Sequence, residues 1–314
     1  MTVRMKLSTT GAGAFAVLGA ATLWGTVGPA QVFARTDVDP LALGVARLIG
    51  GGLVLLGLVA LRDRAALRGW RLLGHRHTWG WLVLAAASTA AYQAAFLSSV
   101  ARTGAALATV VALGVAPPAA GVMARLVSAE RLTRAWMLGT VAAIIGTGLL
   151  LLPGTAVEID VSGVLLGIVG GVCYGIYTVS AKRLLDGAAP TFVAVAATLV
   201  LGGAMIQPFT GDMPRVITEP NALALVCWLA IPATALAYFL FVIGLRHVTA
   251  ATAGTLSLAE PLVAAVLGVA LLGERLPLLA TVGAALLLAG LAATAVPPTR
   301  TIPENEQERR PERS

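Results

Sequence analysis

The chain has 314 residues, of which 58% are hydrophobic and only 12% are charged. A soluble globular domain carries about 25% charged residues, so this composition, with a mean hydropathy of +0.87, excludes a protein whose whole surface faces water. The net charge of +7 would suggest nucleic-acid binding in a soluble protein, but here the basic residues occupy short gaps between apolar segments. We therefore expect them to orient helices and to contact membrane lipid, and we expect no nucleic-acid partner.

Ten apolar segments follow one another along the chain, each close to the length of about 20 residues that a helix needs to cross a bilayer. The first follows a short basic start and continues into further spans, which favours an uncleaved helix over a removed signal peptide. Very few residues separate the third segment from the fourth and the eighth from the ninth, so both pairs are predicted to be tight hairpins. The predicted helices are 11–34, 40–61, 79–100, 104–124, 135–152, 161–181, 188–209, 221–245, 248–272 and 276–296.

Charged residues are distributed unevenly between the predicted loops. If the N-terminus is cytoplasmic, the cytoplasmic segments hold most of the Lys and Arg, whereas acidic residues such as Asp37, Asp39 and Asp212 lie on the other side. This is the asymmetry that the positive-inside rule describes, so we expect both termini, 1–10 and 297–314, in the cytoplasm. The C-terminal segment is charged without apolar periodicity and is predicted to be disordered. The abundance of Arg, Ala and Gly favours a bacterial inner membrane.

One block of sequence occurs twice. Each copy begins with a proline, which is followed 13 residues later by Glu-Arg-Leu and then by two glycines. The copies are Pro117, Glu130-Arg131-Leu132, Gly139 and Gly146, and Pro261, Glu274-Arg275-Leu276, Gly283 and Gly290. Because five helices per repeat is an odd number, the second repeat must enter the membrane upside down. We therefore predict an all-α, polytopic membrane protein of ten helices with two inverted repeats, 11–152 and 161–296, as in many secondary transporters.

Two ionisable residues, Arg47 and Glu260, fall inside the predicted helices, where charge is costly and usually functional. Arg47 is a candidate to bind a substrate carboxylate. The alternatives are that it extends to the membrane surface or pairs with a carbonyl at a helix break. Glu260 precedes Pro261, which removes a backbone donor and predicts a helix break. Glu260 is a candidate to hold a substrate amine or to take a proton, and the structural alternative is an ion pair with Arg47.

A mostly apolar cavity with a few polar anchors is typical of small-molecule sites. Aromatic and polar residues occupy matched places in the two repeats or adjoin those places. They complete the predicted substrate site: Trp24, Tyr92, Gln93, Tyr174, Tyr177, Tyr238 and Ser257. For each tyrosine the alternative is packing, with its hydroxyl bonded to a neighbouring helix.

Neither the cysteines nor the paired histidines indicate a metal. Cys173 and Cys227 have no metal-binding or redox spacing, so we expect them to be small buried apolar residues. His75 and His77 lack an acidic or cysteine partner nearby and make a poor metal site.

These features together resemble the EamA-type members of the drug/metabolite transporter superfamily over nearly the full chain. The features that carry the resemblance are the duplicated block, Trp24-Gly25, Pro40 with Arg47, and Glu260-Pro261 followed by Gly273-Glu274-Arg275-Leu276. The resemblance implies a ten-helix bundle that exports small metabolites such as amino acids or drug-like compounds. One departure is that Ala116 precedes the proline of the first repeat, so any role of the Glu260 carboxylate exists once only.

No motif of a hydrolase is present, neither HExxH nor GxSxG, and an enzyme is not predicted. No phosphate-binding loop is present either, so we expect no ATP cofactor and an energy source in a gradient or in the substrate itself. We predict a secondary transporter that exports amino acids or similar small metabolites by alternating access, with proton antiport through Glu260 as a hypothesis. The alternative substrate class is drug-like compounds, which would make the protein a drug-efflux transporter. The alternatives from other functional classes are an intramembrane enzyme and a channel.

Overall fold

The computed structural model describes residues 9–62, 76–153, 159–187 and 190–295, and these residues form helices joined by short turns, without strands. Nine helices in these ranges are long and apolar enough to cross a membrane. The longest, Thr78–Ser128, contains Gly104 in a non-helical conformation (φ 80°, ψ 160°). A helix of 51 residues would be about 76 Å long, whereas the bilayer core is about 30 Å thick. Thr78–Ser128 is therefore two spans that meet at Gly104, and the prediction of ten helices is confirmed.

The spans are numbered here in chain order. They are α1 (Thr10–Ala34), α2 (Pro40–Arg62), α3 (78–103), α4 (105–128), α5 (Arg134–Leu151), α6 (Val161–Leu185), α7 (Thr191–Phe209), α8 (Pro220–Leu245), α9 (Ala250–Leu272) and α10 (Leu278–Ala295). A short helix, Met213–Thr218, lies between α7 and α8. The predicted N-terminal segment, apart from its last two residues, and the predicted C-terminal tail lie outside the described residues.

Three spans depart from regular α-helix within their length rather than at their ends. The helix of α1 is interrupted at Thr26, and α8 contains a π-helical turn, Ile231–Leu236. The helix of α9 is interrupted at Ser257 and Leu258. Pro261 has no N–H to donate to the Ser257 carbonyl, which instead accepts the N–H of Glu260 at 3.1 Å. Irregular backbone at membrane depth is tolerated where protein surrounds it, so these turns indicate the interior of the bundle.

The glycines of the duplicated block bring α5 and α10 into backbone contact. A methyl group built on Gly139 would lie 2.9 Å from the Gly290 carbonyl oxygen, and one built on Gly283 would lie 2.7 Å from that of Gly146. Only residues without a side chain allow such an approach. The start of α5 therefore meets the end of α10, so these equivalent helices run antiparallel. The axis that relates the repeats lies in the membrane plane, and the prediction of inverted repeats is confirmed.

The remaining helices form two bundles, each of which mixes both repeats. In the α1–α8–α9 bundle, Gly25 packs so closely on α9 that a methyl group would lie 2.7 Å from the Glu260 carbonyl. In the α3–α4–α6 bundle, the equivalent residue Gly175 packs on α4, and a methyl group built on it would lie 2.7 Å from the Ala119 side chain. The α2–α7 and α5–α10 pairs flank these bundles.

Large apolar side chains cover the outer surface, as expected for contact with lipid: Leu138 is 72% exposed and Leu278 is 82% exposed. Cys227 lies on this exposed surface and Cys173 is half-buried, so the prediction that both are buried is wrong. The physical reason is that lipid solvates apolar side chains as well as a protein core does. Apolar character in a span therefore does not predict burial.

Candidate functional site

All four tyrosines of the chain lie in one aromatic cluster between the two bundles. The ring centroids of Tyr92 and Tyr174 are 5.6 Å apart. Those of Tyr174 and Tyr177 are 6.4 Å apart, and those of Tyr177 and Tyr238 are 5.8 Å apart. Trp24 meets Tyr238 edge-on at 5.5 Å. Helices α1, α3, α6 and α8 each contribute a ring, so the cluster joins both repeats.

The cluster follows the symmetry of the repeats. Trp24 of α1 corresponds to Tyr174 of α6, and Tyr92 of α3 corresponds to Tyr238 of α8. The Trp24–Tyr238 pair, at 5.5 Å, is thus the counterpart of the Tyr174–Tyr92 pair, at 5.6 Å. Tyr177 has no aromatic counterpart in the first repeat. A position on the axis between inverted repeats is where substrate sites of such proteins lie.

Arg47 of α2 reaches this region through Gln93 of α3. The Arg47 Nη2 donates a hydrogen bond to Gln93 Oε1 at 3.3 Å. Gly44, one turn before Arg47, makes room for the amide, since a methyl group there would lie 2.5 Å from Gln93 Nε2. The Arg47 Nε is buried and has no hydrogen-bond partner among the described residues. A guanidinium held by one amide, with further donors free, suits a carboxylate ligand.

Glu260 lies where the broken helix of α9 packs on Gly25. Its side chain lies within electrostatic range of groups on four other helices. These groups are Arg47, Tyr92, Tyr174 and Tyr238. Glu260, Arg47 and Tyr92 are partly exposed, whereas the other rings of the cluster are buried. All three therefore keep some accessible surface at the edge of the cluster.

The predicted alternative of an ion pair between Glu260 and Arg47 is not what the structure shows. Within the described ranges, ion pairs are formed by Arg215, which contacts Asp212 and Glu219 at 3.4 Å each in the region between α7 and α8. Arg47 and Glu260 thus lie within electrostatic range of each other without forming an ion pair. This leaves each of them available to a ligand.

Ser257 and Tyr174 connect the broken turn of α9 to α6. The Tyr174 hydroxyl donates to Ser257 Oγ at 3.0 Å, and Ser257 Oγ donates to the Ala253 carbonyl at 3.0 Å. The Tyr177 hydroxyl is different, because it is buried without a hydrogen-bond partner in the described part of the chain. Such a group is costly unless a ligand or water satisfies it.

The sequence matches the EamA-like transporter family over residues 11–152 and 161–296. This chain belongs to the EamA-like transporter family. It is a multi-pass membrane protein of the drug/metabolite transporter superfamily.

Relatives of this EamA-like protein occur in distant organisms. The uncharacterized transporter YwfM of Bacillus subtilis (strain 168) is 35% identical over 286 residues, which are 90% of this chain and 94% of the relative. An uncharacterized protein of Pseudomonas aeruginosa is 28% identical over 244 residues, which are 77% of this chain and 79% of that protein. A crystal structure matches the fold with a TM-score of 0.74 at 22% identity, covering 90% of this chain and 95% of the other.

In this EamA-like fold, all of the residues predicted to contact substrate lie in or beside the aromatic cluster. Two further aromatic residues complete it, and sequence reasoning did not select them. Phe96 stacks on Tyr92 at 5.6 Å, and Phe241 lies 5.4 Å from Trp24. Their spacing of four and three residues from Tyr92 and Tyr238 places each on the same helix face as its tyrosine, a signal that was available in the sequence.

The paired histidines, which were predicted to make a poor metal site, are only partly described by the structure. His75 and the side chain of His77 lie outside the described residues. Within the described ranges, no group of three or more His, Cys, Asp and Glu side chains is arranged to hold a metal ion.

Proposed function

We propose that this EamA-like transporter exports amino acids or similar small zwitterionic metabolites by alternating access. The observation that carries the proposal is that two opposite charges, Arg47 from the first repeat and Glu260 from the second, lie at one aromatic cluster without forming an ion pair. A zwitterion presents the two complementary charges. Charged groups at this depth are retained when a substrate uses them.

Each part of the site has a role in this proposal. The Arg47 guanidinium binds the substrate carboxylate through its free donors, and Gln93 fixes its direction. The Glu260 carboxylate binds the ammonium group. The partly exposed ring of Tyr92 contacts the apolar part of the substrate and attracts its cation through its face.

The distribution of charges supports one direction of the protein in the membrane. The last turn of α4 carries Arg125, the turn after α8 carries Arg246, and the end of α6 carries Lys182 and Arg183. This charge supports a cytoplasmic position for that side and for both termini. A bacterial inner membrane is the proposed location.

Transport in proteoliposomes tests the binding roles. Counterflow of radiolabelled amino acids is measured for the wild type, Arg47→Gln and Glu260→Gln, with Arg215→Gln as a control, because Arg215 is an exposed arginine outside the spans. Losing a charge-assisted hydrogen bond costs enough to lower transport roughly tenfold or more in both site variants. Wild-type rates in both would overturn the proposal.

Glu260 also supports proton antiport, since one carboxylate that binds either a proton or the substrate amine couples their movements. We expect the export rate of the wild type to follow the direction of an imposed pH gradient and that of Glu260→Gln to be insensitive to it. Equal rates of both proteins at two opposite gradients would remove the coupling.

Efflux of drug-like cations is the second candidate. It is favoured by the number of rings around a single carboxylate, which is how proteins bind organic cations. Arg47→Gln separates the two functions. Export of a cation without a carboxylate would persist in that variant, whereas export of amino acids would be lost.

A further inference from the structure

Helix α9 of the second repeat is the equivalent of α4 of the first. The two helices connect the same two ends of the molecule but run in opposite directions. We call the end where α4 finishes and α9 begins the Glu130 mouth. The opposite end, where α9 finishes and α4 begins, is the Glu274 mouth. The names refer to the glutamates of the duplicated Glu-Arg-Leu block.

The two helices are packed together at the Glu130 mouth. There Ala124 and Ala250 share an apolar cluster, and a methyl group built on Gly254 would lie 3.2 Å from the Ala120 side chain. The second half of α9, Ala259–Leu272, packs instead against α1, α5 and α10. The repeat symmetry would allow the same α4–α9 packing at either end. The structure thus records a state in which the Glu130 mouth is closed.

Glu130 ties the two bundles together at this closed mouth. Its Oε1 accepts a hydrogen bond from the N–H of Ala250, the first residue of α9, at 3.2 Å. Its Oε2 is buried with no hydrogen-bond partner in the described residues. The first N–H groups of a helix lack partners inside the helix and carry its positive dipole end, so a carboxylate stabilises them.

Glu274 follows the same backbone turn but makes no equivalent contact. Ala129 (φ 52°) and Gly273 (φ 72°) are both left-handed, and the N–H groups of Glu130 and Glu274 donate to equivalent carbonyls at 3.2 Å each. The Glu274 side chain, however, is exposed and lies over Gly268 of its own helix.

The helix start that Glu274 would reach by symmetry is more exposed than the start of α9. It is the first turn of α4, where Ala106 corresponds to Ala250. Ala106 is partly exposed, whereas Ala250 is 1% exposed. One motif is therefore engaged and its copy is disengaged.

A lysine reinforces the closed mouth. Lys182 at the end of α6 donates to the carbonyls of Leu245 and Val248, at 2.7 Å and 3.3 Å, and so joins the other bundle to the turn before α9. Val32 occupies the place of Lys182 in the first repeat, so this contact has no copy at the Glu274 mouth.

We propose that Glu130 and Glu274 are a reciprocal pair of gating residues. Glu130 holds the start of α9 while its mouth is closed. When the bundles rock to the other state, Glu130 releases Ala250, and Glu274 binds the start of α4 at Ala106. The inference rests on the proposed alternating access, but its test needs no substrate and therefore does not depend on the substrate proposal.

Spin-label distances measure both mouths. Cys173 and Cys227 are replaced by alanine, and label pairs are placed on exposed residues that correspond in the repeats. One pair is Leu126 and His247 across the Glu130 mouth, and the other is Ala270 and Ala101 across the Glu274 mouth. Glu130→Ala should raise the ratio of open to closed Glu130 mouth about tenfold, as expected for loss of a charge-assisted hydrogen bond. Glu274→Ala should lower that ratio by a similar factor.

The opposite signs distinguish gating from general damage. Arg131→Ala and Arg275→Ala are the matched controls, because these exposed neighbours change charge at the same two turns, and they should leave the ratio unchanged. If Glu130→Ala does not fold, Glu274→Ala alone still tests the proposal. The Glu274 side chain is exposed in the present state, so its removal should not disturb folding. Shifts of the same sign in both glutamate variants, no shift in either, or an equal effect of the arginine controls would overturn the proposal.

Discussion

Helices α4 and α9 share a proline at the same place, an identical Glu-Arg-Leu block and the same final turn, yet they differ in the middle of the membrane. In α4 the helix continues through Pro117, whereas α9 is interrupted before Pro261. Where α9 has Ser257 and Glu260, α4 has Leu113 and Ala116. Duplication thus supplied the scaffold of both helices, but only α9 contributes polar groups, Ser257 and Glu260, to the candidate site.

The largest expected effect comes from moving the charge between the two helices. Glu260→Ala should lower transport about 100-fold, the cost of removing one charged partner from a binding site. The variant Ala116→Glu with Glu260→Ala should not restore transport, because α4 has no interrupted turn to present the carboxylate. Counterflow in proteoliposomes measures both, with thermal unfolding as the control for folding. Wild-type transport by the exchanged variant would show that the two helices are interchangeable.

The next effect concerns the scaffold that the repeats do share. Gly290→Ala should destabilise the protein by about 1–3 kcal/mol, because the added methyl group would lie 2.5 Å from the Gly139 carbonyl. Gly57→Ala in α2 is the matched control. Nothing lies within 4 Å of its added methyl group, so that variant should be neutral or slightly more stable. Thermal unfolding in detergent measures both, and equal melting temperatures would contradict the close packing of α5 on α10.

A smaller effect is expected for the polar bond that α9 makes and α4 does not. Tyr174→Phe and Ser257→Ala should each weaken substrate binding, with a coupling of about 1 kcal/mol between them, since they remove the same hydrogen bond. A double-mutant cycle on the affinity for the transported amino acid gives this coupling. Additive effects would mean that the bond does not order the site.

The smallest effect distinguishes the two equivalent final turns. Ala129 has a positive φ of 52° where the second repeat has Gly273, so Ala129→Gly should stabilise the protein by about 0.5 kcal/mol. The reverse change, Gly273→Ala, should destabilise it. Unfolding midpoints of the two variants should therefore move in opposite directions.

Much of the architecture could be predicted from the sequence because long apolar segments and a duplicated block are strong signals. The inverted packing of α5 on α10 follows directly from the glycines of that block. The interruption of α1 at Thr26 and the π-helical turn of α8 could not be predicted, because hydropathy does not report backbone geometry. The exposure of Cys227 was predicted wrongly for a related reason, since in lipid both faces of a helix are apolar.

The candidate site could likewise be predicted only in part from the sequence. Arg47 and Glu260 could be selected because charge at membrane depth is rare, and the structure places both at the aromatic cluster. Gln93 as the partner of Arg47 could not be predicted, because that contact depends on how closely α2 approaches α3 at Gly44. Which mouth is closed also depends on tertiary packing, since the two glutamate motifs are identical in sequence.

The contact of Gly25 with α9 has a consequence for biosynthesis. Helix α1 emerges from the ribosome before α9, and the surface of α9 that covers it lies more than 200 residues further along the chain. At about 5–20 residues per second, the nascent N-terminal span waits for tens of seconds before its permanent neighbours exist. During that interval its small-residue face must be covered by lipid or by the insertion machinery. A chain cut between the repeats would leave that face bare.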